Sequence, residues 1–394
     1  MSTPEIFILS ATRTAIGSFG GALKDVTLAD LATTVVKAAL LRSGVEAEQV
    51  GHVVMGNVIP TEPRDAYISR VAAVQSGIPV TTPAYNVNRL CGSGLQAIIG
   101  AAQSLMLGDA EIAIGAGVES MSRSPYLLAA ARWGTRMGDM QATDYMLGIL
   151  HDPFQGIHMG ITAENIATRN NISREDQDAL AQQSQQRAAH AIKEGRFLTQ
   201  ITEVEITSRK GTQRFSVDEH VRHDVSLEQL AHMRASFKPG GSVTAGNSSG
   251  LNDGAAAIVL ATGTAVRAAN LRPVARLVAY AHSGVEPELM GLGPIAATRM
   301  ALKRAGLSIN DLDVIECNEA FAAQACAVAR ELDFDPAKVN PNGSGISLGH
   351  PVGATGAIIS TKAIYELQRI NGRYALATMC IGGGQGIAAI FERT

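Results

Sequence analysis

Aromatic side chains are scarce in this chain: they make up 4% of its 394 residues, and Trp occurs once. A core with so few rings has to be built from aliphatic side chains and close backbone contacts, as where helices lie on sheets. Cysteine is scarce as well. Cys91, Cys317, Cys326 and Cys380 are scattered, without the spacing of a disulfide framework or a metal knuckle, and they read as reduced thiols in a cytoplasmic protein. Charge of one sign never accumulates. The net charge is −3 and no basic stripe is interleaved with aromatics, which removes nucleic acid from the expected partners. No apolar run approaches the ~20 residues of a membrane span, so no membrane partner is expected. The opening MSTPEIFILSATRT lacks a charged leader before a long apolar stretch, and reads as a first strand over residues 6–10.

What the chain has instead is aliphatic side chains and glycine: apolar residues reach 46%, and Gly fills 40 positions. Its length allows two or three domains, each with a substantial core. It also repeats itself. AALLRSGVEAEQVGHVV (38–54) returns as MALKRAGLSINDLDVIE (300–316), with Ala39/Ala301, Leu40/Leu302, Arg42/Arg304 and Gly44/Gly306 in register. Each copy reads as a helix stopped by glycine, a short polar loop and a buried strand. In a looser second pair, one Gly-Ser-Gly follows Cys91 and another precedes His350. Each leads to a helix and then to an apolar strand ending in glycines. Two related α/β halves follow, with helices covering mostly parallel strands.

Between the halves the character changes. From Met121 to Ser249 the chain holds most of its histidines and few long strand signals. One clear helix there opens with the capping pair Ser173 and Asp176 and stops at Gly195. At TAGNSSGLNDGAAAIVLAT the chain turns glycine-rich again and returns to the first half through a final strand. The expected organisation is residues 1–120 plus 250–270 as the first half, 121–249 as an inserted loop domain that binds substrate, and 271–394 as the second half.

Three reactive side chains stand at element ends with glycine around them. Cys91 precedes Gly-Ser-Gly and a helix whose apolar face carries Leu95, Ile98, Ile99, Ala102 and Leu105. His350 lies between Gly349 and Pro351, again before a helix rich in small residues, and Cys380 ends an apolar strand followed by three glycines. A helix N-terminus favours thiolate over thiol, and glycines let a carbonyl approach backbone N–H groups. A Cys–His pair makes an activated nucleophile. A second cysteine suits a reaction that also needs a base for a proton on carbon. Core packing alone would not need this arrangement.

These motifs, with NEAFAAQ (318–324) and HMGITAEN (158–165), resemble those of the thiolases, in the same order and over essentially the whole chain. The resemblance implies a five-layer αβαβα fold of two similar halves with an inserted loop domain. It implies an acetyl-CoA C-acyltransferase of the β-ketothiolase type. Such an enzyme has no permanently bound cofactor or metal, takes coenzyme A and acyl-CoA as substrates, and assembles as a homotetramer. By the same resemblance Cys91 is the acyl-accepting nucleophile, His350 its base, and Cys380 the group that moves the proton at C2 of the second acyl-CoA. The N–H groups of Cys91 and Gly382 would form one oxyanion hole, and His350 with a water held by Asn318 the other. Ser249 and His158 correspond to pantetheine contacts, Met159 and Phe237 to the channel lining, and Arg222 to a residue packing on the adenine. Glu319 would orient rather than catalyse. Cys317 departs from the small residue expected before NEAF and adds an extra thiol near the pocket, while His220 and His223 lack the third ligand a metal needs.

Two other classes share the scaffold. A decarboxylating condensing enzyme carries a second His or an Asn where this chain has Cys380, since loss of carbon dioxide supplies its carbanion. A non-catalytic acyl-CoA-binding protein has no use for all three reactive residues. The His158-Met159 pair resembles the biosynthetic acetoacetyl-CoA type more than a medium- or long-chain degradative thiolase. Leu150, Phe154, Ile157, Met159 and Phe321 are the expected wall of a short acyl site.

Overall fold

Both copies of the internal repeat fold alike. The structure, a computed structural model describing residues 4–208 and 211–394, forms helix α1 at Leu28–Ser43 and ends it at Gly44, in the left-handed region at φ 70°. A short 3-10 turn leads into strand β2 (His52–Gly56). In the second copy helix α6 (Gly293–Ala305) ends at Gly306 with φ 68°, and a 3-10 turn leads into β7 (Val314–Cys317). In both places glycine supplies the positive φ that ends the helix without steric cost.

Among the described residues ten strands form one continuous mixed sheet, nine of them side by side. The first half supplies β1 (Ile6–Arg13), β2, β3 (Ala84–Val87), β4 (Ile112–Ser120) and β5 (Asn252–Thr262). The second supplies β6 (Ala275–Gly284), β7, β8 (Tyr374–Ile381) and β9 (Gln385–Arg393). Their order is β7-β8-β9-β6-β1-β5-β4-β2-β3, with the short Gly17–Ser18 strand beside β5. Within the sheet the halves join where Ile6, Phe7 and Ile8 pair with Leu277, Arg276 and Ala275.

The expectation of mostly parallel strands is corrected here. Only β2 with β3 and β4, and β7 with β8, run parallel; β5 and β9 run against both neighbours. The reason is plain for β9. It follows β8 through Gly382, Gly383 and Gly384, and a turn that short can only reverse the chain. Fully buried apolar strands read the same in either direction, so the sequence pattern does not reveal this.

Helices complete five layers. Helix α1 and the shorter α2 (Ile68–Gln75) cover the outer face of the first-half sheet. Helices α3 (Ser93–Leu107) and α8 (Val352–Ile370) lie between the two sheet halves, and α6 covers the outer face of the second. The two central helices touch backbone to backbone. A Cβ on Gly94 would lie 2.7 Å from Ala357 N, and one on Gly356 would run into Leu95 N. That contact brings the N-terminal ends of α3 and α8, hence Cys91 and His350, to one place. By length and composition Leu90–Leu107 could also cross a membrane, contrary to the sequence reading. Here it is a middle-layer helix with sheet on both sides.

Between β4 and β5 the chain builds α4 (Met159–Arg169), α5 (Arg174–Lys193) and two small ribbons. The Ser173 side chain accepts from Asp176 N, and Gly195 follows α5 at φ 68°. Helix α5 packs on α7 (Ala322–Glu331), which carries the end of NEAFAAQ.

Candidate active site

Between β3 and α3 the chain makes a tight loop that presents Cys91. Leu90 adopts φ 45°, a conformation unfavourable for a branched side chain. It is held there because Leu90 N donates to Asn88 Oδ1 (2.9 Å) while Ser93 Oγ donates to Leu90 O (2.7 Å). Ser93 Oγ also accepts from Arg89 N (2.8 Å), closing the loop. Glycine at 92 lets the loop lie close to Ile381, whose Cδ1 would be 2.5 Å from a Cβ there. The nucleophile loop thereby rests on the end of β8, beside Gly382. Burial raises the Cys91 pKa; the Gly382 N–H and Cys91's own N–H, bonded to the sulfur, oppose this, and Glu119 adds to the rise. Two backbone donors at one sulfur make an oxyanion hole for a carbonyl bonded to it.

His350 is held rigidly before α8. Gly349 lies at φ 108°, and a Cβ there would meet the Asn252 side chain. Asn252 Oδ1 accepts from His350 N (2.9 Å), and its Nδ2 donates to Gly17 O (3.0 Å). The ring is fixed by Thr355, whose Oγ1 lies 2.6 Å from His350 Nδ1. Thr355 gives its only hydroxyl proton to Pro351 O (2.8 Å), so it must accept from Nδ1–H. The hydrogen-bond network thus assigns the tautomer, and Nε2 is left bare as a base. Burial pushes this histidine down to about 4, which keeps it neutral near pH 7. Asn318 Nδ2 lies 3.5 Å from both ring nitrogens, while its Oδ1 is buried with no protein partner.

A pH dependence follows from these burials. His350 and His282 both sit at about 4 in the fold, His282 through burial first and then Arg89 and Arg304. An unfolded histidine titrates near ~6.5. Between those values the unfolded chain takes up protons that the folded chain refuses, so stability is lost as pH falls from about 6.5 towards 4. The urea midpoint should therefore drop between about pH 7 and pH 5, and His282→Gln should remove part of the drop. An identical decline in the variant would contradict this.

Cys380 is buried at the end of β8, against Met159 and Phe321. Burial, then Cys91 and Cys317, push its thiol well above the usual range, so it rests protonated. Asn318 follows β7 and is tied to β8 by its N–H to Thr378 O (3.0 Å). Glu319 instead accepts from Ser184 Oγ (2.6 Å) and Asn340 Nδ2 (2.9 Å) and fixes the loop behind Asn318. Cys317 lines a separate cavity of about 220 Å³ with Cys326 and Glu319. Burial pushes both of those thiols up to about 12.

A cavity of about 430 Å³ opens over this centre. Its lining brings together His158, Met159, Arg222, Phe237, Ser249 and Phe321, with His350. Cys91, Cys380, Asn318 and Gly382 lie outside that lining. A Cβ on Gly382 would sit 3.5 Å from Met159 Sδ, so Met159 links the two sets. His158 Nδ1 accepts from Gly160 N (3.0 Å), which starts α4 and leaves the proton on Nε2 as a donor. Its ring stacks on Phe237 at 4.7 Å, and Phe237 meets Phe321 edge-on at 6.1 Å. Arg222 is exposed at the mouth, its N–H donating to Gln185 Oε1 (2.8 Å).

One part of the expected wall is wrong. Phe154 is 73% exposed, and neither it nor Ile157 lines the cavity. Asp152 Oδ2 accepts from the N–H groups of Phe154 (3.0 Å) and Gln155 (2.8 Å), turning that segment outward. Leu147, Met121, Leu251 and Val352 join Leu150 in their place. His220, considered from sequence only as a metal candidate, lines the cavity too. Thr355 and Asn252 were not singled out by any motif, since short polar residues inside glycine-rich runs carry no distinguishing pattern.

Comparison with known proteins agrees with this geometry. The family model described as "Thiolase, N-terminal domain" matches residues 6–264, and "Thiolase, C-terminal domain" matches 271–393. The chain is 61% identical over 392 residues to beta-ketothiolase BktB of Cupriavidus necator, covering 99% of this chain and 100% of that one. Among solved structures, the Bacillus anthracis acetyl-CoA acetyltransferase superposes with TM-score 0.98 at 44% identity, covering 100% of both chains. Human mitochondrial 3-ketoacyl-CoA thiolase in complex with CoA superposes with TM-score 0.96 at 44% identity, covering 100% of this chain and 98% of that one.

Proposed function

The chain belongs to the thiolase family, and from that premise we propose that it transfers short acyl groups between coenzyme A thioesters through an acyl-Cys91 intermediate. It is an acetyl-CoA C-acyltransferase, running the Claisen condensation of acetyl-CoA with a short acyl-CoA or the thiolytic reverse. One observation carries this reading: His350, held as the Nδ1–H tautomer with Nε2 unprotonated, stands before α8, which packs backbone to backbone on the helix that follows Cys91.

Acylation follows from that arrangement. Cys91 Sγ gives its proton to His350 Nε2 and attacks the thioester carbonyl. The developing oxyanion accepts from the Cys91 and Gly382 N–H groups. As the carbon–sulfur bond to coenzyme A breaks, His350 returns the proton to the departing thiolate, and the acyl group stays on Cys91. For the second substrate Cys380 first gives its thiol proton to His350, neutral again once coenzyme A has left; the thiolate takes a proton from C2, the carbanion attacks acyl-Cys91, and Cys91 leaves with the proton that His350 holds. In cleavage the resting Cys380 thiol supplies that proton to the leaving enolate. The His158 Nε2–H and Ser249 suit the amides of the pantetheine arm, and Arg222 at the mouth suits the nucleotide end. Trapping a labelled acetyl group from acetyl-CoA on Cys91, located by peptide mass spectrometry, tests the reading. A label found on another residue would refute it.

Acyl range follows from the wall. Phe321, Phe237 and Leu150 close the cavity around His350, with Met159 the deformable member. Four- and five-carbon 3-ketoacyl-CoA substrates should be cleaved well. At ten carbons kcat/KM should have fallen by about 100-fold or more, because unaccommodated methylenes displace a packed wall. Steady-state rates with the four- and ten-carbon substrates check this; equal values would mean an open-ended pocket.

A further inference from the structure

Beside the nucleophile lies a carboxylate that the acylation steps leave unused. Glu119, on β4, is fully buried. Its Oε1 accepts from Asn57 Nδ2 (3.0 Å) and Ile59 N (3.1 Å), and its Oε2 from Val58 N (3.1 Å) and Gly353 N (2.8 Å). All four partners are donors. A protonated carboxyl would need an acceptor for its own hydrogen, and none of the four offers one. Burial, with Asp253 adding to it, raises this group while the N–H groups of Ile59, Gly353 and Val58 oppose the rise; four donors and no acceptor around the two oxygens favour the charged form. The other titratable groups that face it are the Asp253 carboxyl on β5, itself bonded to Ser122, and the Cys91 thiol.

Three of the donors lie on the segment after β2, against which Cys91 packs, and the fourth on the start of α8. Val58 and Ile59 form a cluster with Val352, and Cys91 and Leu90 pack against it. Gly353 is the second residue of α8, whose start carries His350. Glycine is required there, because a Cβ would lie 2.5 Å from Glu119 Oε2. We propose that Glu119 is a positioning residue that clamps the support of Cys91 to the helix start carrying His350, and that its charge keeps resting Cys91 a thiol until His350 takes the proton. The proposal rests on the roles of Cys91 and His350 given above.

Two variants separate clamp from charge. Glu119→Gln keeps the size and loses the charge, while Glu119→Asp keeps the charge and shortens the reach. Each is read by the pH profile of iodoacetamide alkylation at Cys91, with the labelled peptide identified, and by kcat and KM for acetoacetyl-CoA thiolysis. Glu119→Gln should move the alkylation midpoint to lower pH by about one unit, because a neighbouring negative charge no longer opposes the thiolate. It should also lower kcat by about 100-fold, with KM little changed. Glu119→Asp should leave the midpoint in place and still lower kcat by about tenfold or more. If Glu119→Gln does not fold, Glu119→Asp alone decides. A kcat near wild type overturns the clamp, and an unmoved midpoint in folded Glu119→Gln overturns the charge effect. Alkylation at a residue other than Cys91 would instead overturn the nucleophile assignment.

Discussion

Cys91→Ala should abolish acyl transfer, lowering kcat by more than about 10⁴-fold, and leave the fold intact. The chemistry has no substitute nucleophile. Cys380 is buried with its thiol well above the usual range, and Cys317 and Cys326 are pushed up to about 12 in a separate cavity. The fold has no stake in the sulfur. Cys91 is half-buried, α3 begins after Gly92 without a side-chain cap, and the loop is closed by Ser93, Arg89 and Asn88. Cys91→Ser should fail almost as completely. A hydroxyl is far less acidic than a thiol, and His350, held at about 4, is too weak a base to take its proton. Stopped-flow release of coenzyme A from acetyl-CoA and mass spectrometry of the intact chain measure the acyl-enzyme directly. A covalent acetyl adduct on folded Cys91→Ala would remove Cys91 from the mechanism.

The contrast between these cysteines shows what a sequence can carry. Cys91, His350 and Cys380 are legible because each stands at an element end among glycines, and glycine there has a steric cause: Ile381 against Gly92, Asn252 against Gly349, the β8–β9 reversal after Cys380. The paired helix–glycine–strand copies are legible for the same reason. Strand direction is not, because β5 and β9 are buried on both faces and carry no alternation that orients them. Nor are the residues that aim the reactive groups. Asn252 bonds His350 across 98 positions and Glu119 bonds Gly353 across 234. Such partners meet only once the sheet has formed. Phe154 misleads for a related reason, since its apolar ring suggests a wall and only the turn at Asp152 sends it into solvent.

Cys380→Ser divides the reaction in two. Acylation needs Cys91, the bare Nε2 of His350 and the Cys91 and Gly382 N–H groups, and none of these depends on the Cys380 sulfur. The variant should therefore take an acetyl group from acetyl-CoA at close to the normal rate. Condensation and thiolysis should fall by about 10²–10⁴-fold, the loss typical of a missing acid or base. Serine can stand in the same space, since Cys380 is enclosed by Met159, Phe321 and the end of β8. What serine lacks is the acidity of a thiol, so its hydroxyl is far harder to ionise to the base that takes the C2 proton. The cleaner readout is exchange of the C2 protons of acetyl-CoA with deuterium from solvent, followed by NMR. Wild type should exchange them and Cys380→Ser should not, while both become acylated. Loss of acylation in a folded variant would mean that the Cys380 sulfur also shapes the Cys91 site, to which it is already coupled through the Cys91 thiol that opposes its ionisation.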